Sequence, residues 1–172
     1  MFVIRLARAE DAQALARVKR RAWESSYRGI YPDEKLDNYD YDRQAAGFAE
    51  RAAKPNAQLF VAEYDCVPVG YMCLEKIERS ALGLNHEISL LYLLKEYQGR
   101  GFGREMFETG RKELARLGAE SFVIACNKYN LPAQGFYKAM GGTLIKVDED
   151  ALDRSVPQKY FRFNINNQGG AI

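Results

Sequence analysis

Two stretches of this 172-residue chain hold residue types at spacings that can do chemistry. Between Gln98 and Arg104 the order Gln-Gly-Arg-Gly-Phe-Gly-Arg sets glycine at 99, 101 and 103. A glycine run that opens a helix is an anion cradle. The first N–H groups of a helix have no partner within it, and the dipole end is positive. Glycine also removes the side chain that would hold a phosphate off those N–H groups. The missing patterns narrow the choice of phosphate. A dinucleotide fingerprint needs glycine at 104, where Arg104 stands, and the G-K-[S/T] of a Walker loop occurs nowhere. The second stretch reads N-x-x-A-x-x-F-Y-x-x-x-G, from Asn130 through Ala133, Phe136 and Tyr137 to Gly141.

The elements that must position these residues follow from periodicity. The apolar run 88–94 is too short for a buried helix and predicts a buried strand that feeds the glycine loop. Phe102, Met106, Phe107, Gly110, Leu114 and Leu117 then share one helical stripe. Residues 2–6 read as an opening strand. A helix starts near residues 9–11, with Asp11 as a cap, and its pattern breaks over 25–32. Pro32 begins a second helix or pair of helices running to about Ala53. Residues 58–64 and 67–77 read as two strands joined by a tight turn at Asp65-Cys66. Gly70 inside the second marks a bulge or a close backbone approach. A strand over 121–126, a short helix over 130–140 stopped by Gly141-Gly142, and strands over 143–147 and 159–165 complete the chain. The result is a single-domain α/β fold: a mixed central sheet flanked by helices, over residues 1–165, with 166–172 as a frayed tail.

Composition excludes several classes. Hydrophobic residues make up 47% and charged residues 28%, as in an ordinary soluble domain. A net charge of +2 without clustering gives no nucleic-acid groove. Cys66, Cys73 and Cys126 form neither a CxxC nor an even framework, so reduced thiols in a cytoplasmic protein are expected. His86 is the single histidine, which leaves no histidine-rich metal site. No apolar stretch is long enough to span a membrane, and the first residues lack a signal peptide's apolar core.

The pattern Q/R-x-x-G-x-G/A at 98–103, on its strand and helix, together with the segment 130–141, resembles the GCN5-related N-acetyltransferase (GNAT) family. The likeness extends over about residues 80–147 and is loose before residue 60. It implies a mostly antiparallel sheet and acetyl-coenzyme A as co-substrate, with no metal. The pyrophosphate would lie on Gln98, Gly99, Arg100, Gly101, Gly103 and Arg104. The pantetheine arm would pair with the backbone of Leu91, Tyr92 and Leu93 as an added strand. Asn130, Ala133 and Phe136 would contact the cofactor or fix the helix, and Tyr137 would protonate the leaving thiolate. Transfer would be direct, through a tetrahedral intermediate whose oxyanion meets a backbone N–H near Tyr92.

An amine must lose a proton before it attacks, so the resemblance also asks for a base. Glu87 stands eleven positions before Gln98, where the histone-acetylating branch carries its glutamate. A strand-end carboxylate facing water is the alternative, and His86 is a fallback on the opposite strand face. The acceptor would be a primary amine, either a small cation such as a polyamine or a peptide amine. Trp23, Tyr27 and Tyr31 are candidates to line its pocket. Two acidic clusters, Asp33, Glu34, Asp37, Asp40 and Asp42, and Asp148, Glu149, Asp150 and Asp153, would attract a cation if they converge, or are plain solvated loops. A module that binds acyl-coenzyme A without turnover, or a nucleotide-binding regulator, is the competing class. Exposed strand edges near the C-terminus allow a homodimer.

Overall fold

The apolar run after Asn85 is a strand, β4 (His86–Leu93), in the middle of a seven-stranded sheet. The structure, a computed structural model, describes residues 1–78, 82–149 and 157–166. β1 (Phe2–Leu6), β2 (Ala57–Tyr64) and β3 (Val67–Lys76) precede it, and β5 (Ser121–Asn127), β6 (Thr143–Asp148) and β7 (Gln158–Asn164) follow. The spatial order is β1-β2-β3-β4-β5-β7-β6. All neighbours are antiparallel except β4 and β5, which run parallel. A parallel pair needs a crossover, and α4 (Phe102–Arg116) supplies it. The mixed, mostly antiparallel sheet expected from the sequence is the one that forms.

Both faces of the sheet are covered. Along β3, Tyr71 and Cys73 join the core beneath α1 (Ala12–Tyr27) and α3 (Tyr41–Ala53), while Met72 and Leu74 join the one beneath α4. The second core takes in Phe107, Phe122, Phe161 and Phe163, together with Tyr137 from α5 (Leu131–Ala139). Gly110 lets α4 approach closely, because a Cβ there would sit 2.7 Å from the Met72 sulfur. Gly70 is both things its position predicted. A register shift lies beside it, and a Cβ there would meet the Tyr92 carbonyl oxygen at 2.7 Å.

Two boundaries differ from the expected ones, and the segment after Pro32 takes the paired form of its two expected alternatives. A single 3-10 turn, Ala9–Asp11, comes before α1, and the Asp11 carboxylate accepts from the Arg8 amide and pairs with Arg5. α1 then continues through Ser25 and Ser26, because Tyr27 is anchored in the interior and packing overrides weak helix formers. The segment after Pro32 divides into α2 (Asp33–Asp37) and α3, where Asp40 caps by accepting from the Arg43 amide at 3.0 Å.

The β2–β3 turn holds Asp65 and Cys66 at φ of 49° and 63°, the left-handed region that a two-residue hairpin loop requires. Cys66→Gly should therefore raise stability by about 1 kcal/mol, relief of left-handed strain outweighing the entropy of glycine. A urea titration of both proteins reads it.

What matters most for the site is how β4 is paired. Against β3, Leu90 faces Cys73 and Ile88 faces Leu74, so Ser89 is an unmatched extra residue, a bulge. Against β5, the one register pair is Glu87 with Val123. Beyond that point the two parallel strands share no ladder.

Candidate active site

The gap between the diverging strands is a cavity of about 660 Å³. β4 gives one wall through Ser89, Leu91, Tyr92 and Leu93, and β5 gives the other through Ile124, Ala125 and Cys126. Asn130, Ala133, Phe136 and Tyr137 close it from α5, and Ser25, Ser26 and Tyr27 from the end of α1. Gln98, Gly99, Gly101, Gly103 and Arg104 form its far end.

That far end is a bare helix terminus. Gly99 and Gly101 take φ of 73° and 86°, and no side chain caps α4. The Glu105 amide bonds back to Gly101 at 3.0 Å, which leaves the amides of Phe102, Gly103 and Arg104 without a partner inside the helix. Gln98 donates from Nε2 to the Leu93 carbonyl at 2.9 Å and ties the loop to the end of β4. Arg104 and Lys95 both line the cavity, and neither forms an ion pair with another described residue. Arg100 does not line it. Its guanidinium lies 4.7 Å from the Tyr64 ring and 4.8 Å from the Phe102 ring, so its side chain serves packing next to the loop.

Tyr137 sits at the deep end, only 6% exposed, and its hydroxyl bonds to no other described residue. Burial, then the neighbouring Cys126 thiol, pushes its phenol far above the ordinary value. The same burial pushes Cys126 up to about 11. Opposite, the Tyr27 hydroxyl lies 3.0 Å from that of Tyr92. Asn130 caps α5, accepting from the Ala133 amide at 3.2 Å. The Tyr27–Tyr92 contact ties the end of α1 to β4. Tyr27→Phe removes that hydroxyl and should cost about 1 kcal/mol of stability, since the part-buried Tyr92 hydroxyl loses its bond. Chemical denaturation measures that loss.

Several residues singled out from the sequence lie elsewhere. Trp23 and Tyr31 do cluster with Tyr27, at ring-centroid distances of 5.7 Å and 4.4 Å, but neither lines the cavity. Their faces carry cations of this chain: Lys19 Nζ stands 4.5 Å from the Trp23 ring centre and Lys35 Nζ 4.4 Å from that of Tyr31. The acidic clusters do not converge on the site either. Asp33 and Asp37 bind Arg28 at 2.8 Å and 2.7 Å, Asp40 caps α3, and Asp42 accepts from Gln13. Asp148 pairs with Lys146 and Glu149 with Lys128, while Asp150 and Asp153 lie outside the described residues.

Glu87 is half-buried at the apex of the gap, opposite Glu75 of β3, and does not line the cavity. His86 also lies outside it, buried, with Nδ1 2.9 Å from Asn85 Oδ1. Conversely, Lys95, Ser89 and Cys126 line the cavity without having been marked. Lys95 stands in a charged turn, Cys126 reads as ordinary strand core, and a bulge at Ser89 leaves no trace in the pattern of side chains. Among the described residues no His/Cys/Asp/Glu grouping fits a metal ion, and no helix is long and apolar enough to cross a membrane.

A parallel strand pair thus parts over a bare helix terminus, with the buried phenol of Tyr137 lining the gap from α5. The chain belongs to the acetyltransferase (GNAT) family, whose sequence model matches residues 18–141. It is thereby an enzyme of the N-acetyltransferase class. An uncharacterized N-acetyltransferase, YuaI of Bacillus subtilis, is 29% identical over 86% of this chain and 84% of its own length. The spermidine N(1)-acetyltransferase of Thermoplasma acidophilum is 26% identical over 91% and 96%. Among solved structures, the PaiA N-acetyltransferase of T. acidophilum in complex with coenzyme A superposes with a TM-score of 0.79. It covers 95% of this chain and 99% of that one at 20% identity.

Proposed function

We propose that residues 1–165 form one catalytic unit that moves an acetyl group from acetyl-coenzyme A to a primary amine. The observation that carries this reading is the unpartnered amide end of α4 opening into the same gap as the Tyr137 hydroxyl. The site's residues fit the co-substrate. Residues 99–104 offer amides and Arg104 a charge to a diphosphate, and the β4 edge past Glu87, unpaired with β5, offers backbone groups to an amide-bearing arm. When bound, that co-substrate supplies an activated acetyl thioester. Tyr137 holds a proton at its hydroxyl and gives it to the leaving sulfur, and a β4 amide near Tyr92 meets the developing oxyanion. Glu87, outside the cavity wall, acts on the amine only through solvent.

The polyamine version of the acceptor is supported by the Thermoplasma relative, named a spermidine acetyltransferase. The site adds nothing to it, since no described acid lines the cavity; a peptide amine fits the same chemistry. Three free thiols accord with a reducing, cytoplasmic setting. β6, an edge strand with Leu144, Ile145 and Val147 exposed, is where a second copy would pair.

The deciding experiment pairs calorimetry with an amine panel followed by thiol release. Coenzyme A and acetyl-coenzyme A should bind and stabilise the fold by mass action, and NAD and ATP should not. Binding with no thiol released to any amine would point to a module without turnover. No heat with either coenzyme on folded protein would end the proposal.

A further inference from the structure

We infer that Cys126 is a site of mixed-disulfide formation with coenzyme A, which makes the enzyme reversibly self-blocking under oxidation. The inference rests on the proposed co-substrate and goes beyond it. Three observations carry it. Cys126 stands one residue before the end of β5 and lines the cavity. Its neighbour there is Tyr137, a polar side chain more than nine-tenths buried, whose hydroxyl has no partner among the described residues. The chain's other cysteines are placed differently: Cys73 packs on the α1–α3 side of the sheet, and Cys66 is exposed at the β2–β3 turn. A coenzyme whose diphosphate lies on residues 99–104, with its arm along Leu91, Tyr92 and Leu93, brings its sulfur toward Tyr137 and so toward Cys126.

The reactant is coenzyme A disulfide. The Cys126 thiol loses its proton to water, and the thiolate attacks the nearer sulfur. The coenzyme's S–S bond breaks, the bond from Sγ to that sulfur forms, and the second coenzyme leaves as a thiolate that takes up a proton. One disulfide is exchanged for another, so no further oxidant is needed. Burial keeps this thiol protonated and inert to disulfides in bulk solution. Rate comes from holding the disulfide beside it, so selectivity belongs to the cradle. The adduct fills both the cradle and the place of the thioester, and a thiol reductant frees them.

The test uses the full chain carrying Cys66→Gly, which removes the exposed thiol. It is incubated with coenzyme A disulfide or with glutathione disulfide, and peptides are mapped by mass. The expected result is one coenzyme A on the peptide containing Cys126, reversed by dithiothreitol. Its rate should saturate with disulfide concentration, exceed that of glutathione disulfide about tenfold or more, and fall in Arg104→Ala. Equal rates with the two disulfides would overturn the inference. So would the absence of an adduct at Cys126 in protein that binds coenzyme A by calorimetry, with the proposed function left standing. Absence of coenzyme binding as well would remove both.

Discussion

Tyr137→Phe should lower kcat about 10²- to 10³-fold while the KM for acetyl-coenzyme A stays within about twofold, the span expected for loss of one general acid. The expulsion of a thiolate into a buried gap is the step that needs this proton. A solvated thiol ionises near 8.5, but the Cys126 thiol shows what this gap does to sulfur: burial raises it to about 11. A leaving thiolate in the same place becomes a stronger base in the same way. The Tyr137 phenol is raised too, so it is fully protonated in neutral solution and its proton is available. Its activity should show no falling limb from this group below about pH 10, the ordinary phenol value. The variant should also fold normally. Phenylalanine keeps the ring contacts with Phe136 and Phe161, and the hydroxyl it lacks bonds to no described residue, so Tm should move by no more than about 2 °C. A loss of kcat with unchanged Tm separates chemistry from packing. An unchanged kcat would take the acid role away from Tyr137.

The parts of this site legible in the sequence are those where chemistry restricts residue type. Left-handed backbone at a helix start asks for glycine, and Gly99 and Gly101 answer it. An N-cap asks for a short polar side chain, and Asn130 answers that. The run 88–94 announced a strand because both its faces are apolar and pack against a core cluster. What stayed hidden depends on where strands go rather than on what they contain. The parting of β4 from β5 begins at a bulge on Ser89, which a pattern of side chains does not encode. Arg100 and Arg104 looked equivalent four residues apart, yet one faces the cavity and the other lies against Tyr64 and Phe102. The acidic clusters looked like a lure for cations, but the partners that occupy them, Arg28 above all, are close in space only once α1 runs on to Tyr27.

That split between the two arginines predicts the second large effect. Arg104→Ala should weaken coenzyme A binding about tenfold, about 1.4 kcal/mol, and the deficit should shrink as salt is raised, because the lost contact is a screened charge on a phosphate. Arg100→Ala should leave the Kd unchanged and cost about 0.5–1 kcal/mol of stability, since its guanidinium stacks on rings outside the cavity. Gly101→Val should be worse for binding than either, about 100-fold. A β-branched residue does not hold φ near 86°, so the loop must rebuild and the amides of Phe102, Gly103 and Arg104 lose their common aim. Calorimetry on the three variants, with circular dichroism to confirm that α4 persists, orders these losses. An arginine effect at position 100 equal to that at 104 would mean that charge near the loop matters and its direction does not. If Gly101→Val bound normally, the diphosphate would have to rest somewhere other than the bare end of α4.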